Sequence, residues 1–176
     1  MPDIKQGDME TMHQPLDFLG FNIYDGSTVK MSEDKKPVVV ENEPGHAKTD
    51  MGFPVTPKAL YWGPKFLIDR YRLPYYITEN GMANLDWVSK NGYVDDPQRI
   101  DFLESYIGQY KKLAEEGADL RVYFHWSLMD NFEWSFGYSK RFGLVYVDYK
   151  KGKRINKKSG HWYKKVIETN GDICEF

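Results

Sequence analysis

The chain alternates short runs of apolar residues at strand spacing with longer segments at helical spacing. Asp17 to Tyr24 reads as a first strand, Tyr75 to Thr78 as a second and Leu120 to Phe124 as a third. Between the second and third, Ile100, Leu103, Ile107, Tyr110 and Ala114 recur every three or four residues. That spacing predicts a helix opened by Asp96 and Pro97 and stopped at Gly117. An earlier helix carries Leu60, Pro64, Leu67 and Tyr71, with Thr56 as its cap, Pro57 at its first position and a kink expected at Pro64. Val38 to Val40 forms a short excursion strand. Gly143 to Tyr149 and Arg154 to Asn156 pair as a hairpin around Lys151 and Gly152. Ser159 caps a last helix that runs through Trp162 and Val166 and ends near Asn170 and Gly171. Strand and helix in alternation predict an α/β protein with parallel strands, βαβαβα.

Length changes this picture in one respect. At 176 residues the chain suits a single domain, 1–176, with a real core. A complete (β/α)8 barrel takes roughly 250 residues, so a barrel here would be partial.

Composition excludes some classes. Lys and Arg total 24 against 26 Asp and Glu, for a net charge of −2, so no basic footprint for nucleic acid exists. No apolar run approaches a membrane span. The first twelve residues lack the apolar centre of a signal peptide, and the one cysteine, Cys174, can form no intrachain disulfide. A cytoplasmic location is the resulting expectation. His13, His46, His125 and His161 lack partners at ligand spacing, and no glycine loop suits a phosphate, so neither metal nor cofactor is expected. Aromatic residues make up 16% of the chain; they either stack on sugar rings or fill the core.

The candidate chemistry sits at strand ends. Tyr76, Ile77, Thr78, Glu79, Asn80 and Gly81 deliver one carboxylate to the end of the second strand and stop at a glycine. Glu79 is either a nucleophilic acid or a polar strand-end residue. After the third strand come His125, Trp126 and, further on, Glu133 and Trp134. A carboxylate can accept two hydroxyl hydrogen bonds, and an indole offers a flat face and one donor. Trp126 and Trp134 fit equally as core aromatics. Asn22 and Tyr24 close the first strand.

These strings together resemble glycoside hydrolase family 1, the β-glucosidase family, from about Asp8 to Gly171. Thr56, Pro57, Ala59, Leu60, Tyr61 and Trp62 match the helix start upstream of the family's nucleophile signature. The resemblance implies a partial TIM (β/α)8 barrel, roughly strands six to eight with their helices. It implies Glu79 as nucleophile, oriented by Tyr24. It implies a sugar-binding wall from Asn22, Trp126, Glu133, Trp134 and Phe142. A glutamate at position 133 points to unphosphorylated β-glycosides.

Retaining glycosidases need two carboxylates about 5 Å apart, and the family's acid/base has no counterpart in context here. Asn42, Glu43 and Pro44 reproduce the acid/base triplet as a string, but they lie in a stretch resembling the surface excursion after the sixth strand. The chain is therefore expected to be the C-terminal portion of a retaining β-glycosidase, inactive or nearly so alone. The alternative is a non-catalytic half-barrel remnant that self-associates or binds sugar weakly. The expected partners are a β-glycoside or sugar and either a second copy or a complementary N-terminal half-barrel.

Overall fold

The computed structural model describes residues 3–174. Its elements are α1 (Asp8–Met12), β1 (Leu19–Asn22), β2 (Val29–Met31), β3 (Pro37–Val39), α2 (Ala59–Tyr71), β4 (Tyr75–Asn80), α3 (Pro97–Glu115), β5 (Leu120–His125), β6 (Val145–Asp148), β7 (Lys153–Asn156) and α4 (Lys158–Glu168). β1, β4 and β5 form one sheet in that order, and both pairings are parallel. Two antiparallel hairpins, β2–β3 and β6–β7, stand apart from it. The parallel three-strand sheet and the β6–β7 hairpin follow the apolar spacing. β2, which supplies the partner of the excursion strand, carries no run long enough to be read, and neither does α1.

The core lies between the sheet and its helices. Tyr75 and Ile77 of β4 point into it and are fully enclosed, while Tyr76 and Thr78 face the other way, as a pleated strand requires. Ile77 clusters there with Leu60 of α2, Phe102, Leu103, Tyr106, Ile107 and Tyr110 of α3, and Val166 of α4, joined by Met82, Leu144 and Cys174.

The alternation breaks at the end of β4. Phe21 pairs with Ile77, but Asn22 pairs with Glu79; on the other side Ile77 pairs with Tyr123 and Asn80 with His125. Both neighbours thus register one extra residue in β4 around Thr78. Such a bulge re-aims the side chains beyond it, here those of Glu79 and Asn80.

Three local expectations are corrected. Thr56 does not cap α2: its hydroxyl accepts the Gly26 N–H at 2.8 Å, and the helix begins at Ala59. Ser159 does not cap α4 either. Its N–H and hydroxyl both donate to Asp96, at 2.8 and 2.6 Å, so the acid preceding α3 serves the first turn of α4. The buried face of α3 runs through Arg99, Phe102, Leu103, Tyr106, Ile107, Tyr110 and Leu113, with Ala114 exposed. Apolar periodicity misplaces that face because it discounts Arg99, whose charge is neutralised in the interior. α2 continues through Pro64 as one helix.

Candidate active site

The ends of β1, β4 and β5 come together at one edge of the sheet. The bulge turns Glu79 toward β1, where Tyr24 donates its phenol proton to Glu79 Oε2 at 2.8 Å. Burial, that hydrogen bond and the charges of Glu79 and Glu133 all hold the Tyr24 phenol well above its ordinary range. Tyr24 is therefore a permanent donor to the carboxylate. Two carboxylates, 54 residues apart in the sequence, act on one phenol.

Backbone bonds lock this edge. The Ile23 N–H donates to the Glu79 carbonyl at 3.0 Å, and the Trp126 N–H to the Asn80 carbonyl at 2.8 Å. Asn22, opposite Glu79 in register, accepts from the Thr78 hydroxyl at 2.7 Å. Gly81 follows because no side chain fits: a Cβ there would lie 1.9 Å from the Trp126 carbonyl oxygen. The glycine lets the loop after β4 pass against the segment after β5.

The aromatic residues differ in setting. Phe142 is 4% exposed and meets the Tyr24 ring edge-on, with centroids 6.2 Å apart. Trp126 is half-buried. Trp134 begins a single 3-10 turn, Trp134–Phe136, at φ 45° and is 81% exposed. The Glu133 backbone is tied by its N–H to the Gly137 carbonyl at 2.7 Å, while its Oε2 is buried without a hydrogen-bond partner. A buried carboxylate oxygen left without a donor among the described residues is costly.

A set of buried charges behind this edge escaped the sequence reading. Lys157 Nζ lies 2.6 Å from Asp86 and 2.7 Å from Asp130. Arg99 pairs with Asp86 and Asp96 and donates to the Arg141 carbonyl at 2.9 Å. Arg141 in turn pairs with Asp130. Three cations and three anions thus join the loop after β4, the start of α3 and the segment around Phe142. Burial, then the neighbouring Arg99, lowers the Lys157 pKa. His125 is pushed down to about 3 by burial and by Arg99; its Nε2 contacts the Phe142 carbonyl at 3.2 Å, and its Nδ1 is enclosed without a partner. Each charged residue, read alone in the sequence, looks like surface.

Glu43 stands outside this assembly, exposed in the loop that follows β3. Among the described residues no cluster of His, Cys, Asp or Glu is arranged to hold a metal ion, and no helix is long and apolar enough to cross a membrane.

The fold is a parallel α/β unit with a tyrosine-held glutamate at its strand ends. The sequence profile of glycosyl hydrolase family 1 matches residues 1–172, and the chain belongs to that family. It is 47% identical over 172 residues to β-glucosidase A of Thermotoga maritima, covering 97% of this chain and 39% of that protein. It is 44% identical over 179 residues to a bifunctional β-D-glucosidase/β-D-fucosidase of Bifidobacterium breve, covering 92% of this chain and 39% of the relative. The structure of the Thermotoga maritima β-glucosidase in complex with glucoimidazole superposes with a TM-score of 0.84 at 49% identity, over 93% of this chain and 37% of that one. The chain spans about two fifths of the length of the curated relatives it matches.

Proposed function

We propose that this chain is the C-terminal portion of a retaining β-glycosidase acting on unphosphorylated β-glucosides or related sugars, carrying strands six to eight of the barrel. The observation that carries the reading is the Tyr24 hydroxyl on Glu79 Oε2 at the sheet edge. In this reading Glu79 attacks the anomeric carbon and forms a covalent glycosyl-enzyme, while the aglycone leaves with the bonding pair. Tyr24 holds the carboxylate in one orientation through a charge-assisted hydrogen bond. The Glu133 carboxylate accepts sugar hydroxyls. Trp126 is the platform beneath the ring, and Asn22, Trp134 and Phe142 complete the wall. The shared core cluster supports treating residues 1–176 as one domain.

The acid/base carboxylate is not among these residues. A poor leaving group must then depart as an alkoxide, and general acid help of about 10²–10⁴-fold is lost. The chain alone therefore does not turn over cellobiose, and Glu43→Gln changes nothing. Addition of an N-terminal half-barrel supplies the acid and restores hydrolysis of an aryl β-glucoside. Mass spectrometry after incubation with a 2-fluoroglycoside bearing a good leaving group tests the nucleophile. Label on Glu79 supports the assignment; label on another acid with Glu79 unmodified removes it.

One observation favours the second reading, a non-catalytic unit that self-associates. β1 and β5 are the outer strands of a three-strand sheet, and Phe18 and Phe124 beside or on them are about half exposed. Open edges with apolar neighbours pair with other chains. A second copy and a complementary half-barrel are the two occupants.

A further inference from the structure

Asn80 follows the candidate nucleophile and is fully enclosed, yet it is polar and lies at the end of a strand. Its side chain makes two hydrogen bonds, one to each neighbouring strand end. Nδ2 donates to the Ile23 carbonyl at 2.7 Å, and Oδ1 accepts from the Tyr123 hydroxyl at 2.5 Å. The chemistry fixes the amide's orientation, because a carbonyl can only accept and must face the NH2 group. The backbone carbonyl of Asn80 takes the Trp126 N–H.

The bond to Ile23 has a specific consequence. The Ile23 N–H is already held by the Glu79 carbonyl at 3.0 Å. Glu79 and Asn80 therefore grip both polar groups of the residue immediately before Tyr24. The phenol of Tyr24 then returns to Glu79 Oε2. This closes a ring: Glu79, Asn80, Ile23, Tyr24 and back to Glu79.

We infer that Asn80 is a positioning residue, whose amide sets the path of the chain at Ile23 and so aims the Tyr24 hydroxyl at Glu79. Its catalytic meaning rests on the function proposed above; its structural content does not. A buried amide held at both ends suits this task because it resists rotation. A hydrophobic residue of similar size would fill the space and leave the Ile23 carbonyl without a donor.

The test reads the exchange of the Tyr24 hydroxyl proton with water by NMR in the 176-residue chain, the resonance being assigned by its loss in Tyr24→Phe. In the native chain the proton exchanges slowly. Asn80→Ala speeds its exchange about tenfold or more, the loss expected when a hydrogen bond to a charged group is weakened. Tyr123→Phe removes the other amide bond and lowers the melting temperature but leaves Tyr24 exchange unchanged. An equal effect in both variants, or none in either, makes Asn80 ordinary packing and overturns the inference.

Asn80→Asp gives an independent reading should Asn80→Ala fail to fold. A neutral carboxyl can accept from Tyr123 and donate to Ile23, whereas a carboxylate cannot donate. Relative to the native chain, exchange in Asn80→Asp stays slow at acid pH and quickens as the new acid ionises; a ratio independent of pH would refute the role. Labelling of Glu79 in the native chain is scored separately. An unlabelled native chain with exchange accelerated in Asn80→Ala removes the nucleophile and keeps the positioning.

Discussion

The hydroxyl of Tyr24 reaches Glu79 Oε2 at 2.8 Å across 55 residues of sequence. β1 and β4 are parallel neighbours, and the bulge near Thr78 turns Glu79 to meet it. One bond thus reports on the whole sheet edge. Tyr24→Phe removes the donor and keeps the ring against Phe142. Labelling of Glu79 by an activated 2-fluoroglycoside should slow by about 10–100-fold, the range for a hydrogen bond to a charged acceptor. Unchanged labelling would separate Tyr24 from the chemistry.

Gly81→Ala tests the close approach beside the site. Its Cβ would fall 1.9 Å from the Trp126 carbonyl oxygen, a backbone atom that cannot swing aside. The expected cost is about 3 kcal/mol or more, the upper end of overpacking. Gly63→Ala, in α2 with its nearest neighbour at 3.4 Å, is the control and should stabilise by about 0.5–1 kcal/mol. Urea unfolding of both variants measures the contrast.

Lys157→Met leaves Asp86 and Asp130 without their shared cation in the interior. Removing one partner from a buried ion network costs about 3–5 kcal/mol. Lys158→Met, which breaks the exposed pair with Asp95, should stay within about 1 kcal/mol. A small loss at Lys157 in the same denaturant series would mean that Arg99 and Arg141 neutralise the cluster without it.

His125 makes the fold acid-sensitive. Its folded pKa is about 3 against an ordinary value of 6.5. Between these values the unfolded chain binds a proton that the folded chain refuses, so stability falls as pH drops from about 6.5 toward 3. His125→Gln has no such proton. Its unfolding free energy should show a shallower slope than the native chain's across that window, measured by urea melts at several pH values. Parallel slopes would show that the ring is protonated in the fold.

Self-association is the outcome we propose for the open strands. Light scattering at tens of micromolar should show a dimer or larger species, a symmetric dimer being the commonest closed form. Phe124→Lys places a charge on β5, the device by which exposed edges resist pairing, and should shift the population toward monomer. A native chain that is monomeric and melts cooperatively would show that its edges are covered internally.

The elements were legible in the chain wherever the physics is local. Strand runs such as Tyr75 to Thr78 and the three–four spacing from Ile100 to Tyr110 depend only on neighbours in sequence, and β4, β5 and α3 form there. The strings around Glu79 and Trp126 carry the family likeness, and the family profile agrees over nearly the whole chain. Contacts between distant residues were decided by the tertiary structure. The bulge shows only in the pairing of β4 with its two neighbours, a relation between segments far apart in sequence. Thr56 and Ser159 carry cap-forming side chains, but the fold brings Gly26 to one and Asp96 to the other. Asp86, Arg99, Asp130 and Lys157 read as surface charge until folding sets each beside its opposite, where mutual neutralisation permits burial. Asn80 gave no periodic signal at all, because the value of an amide depends on which donor and acceptor the packed strands place at its two ends.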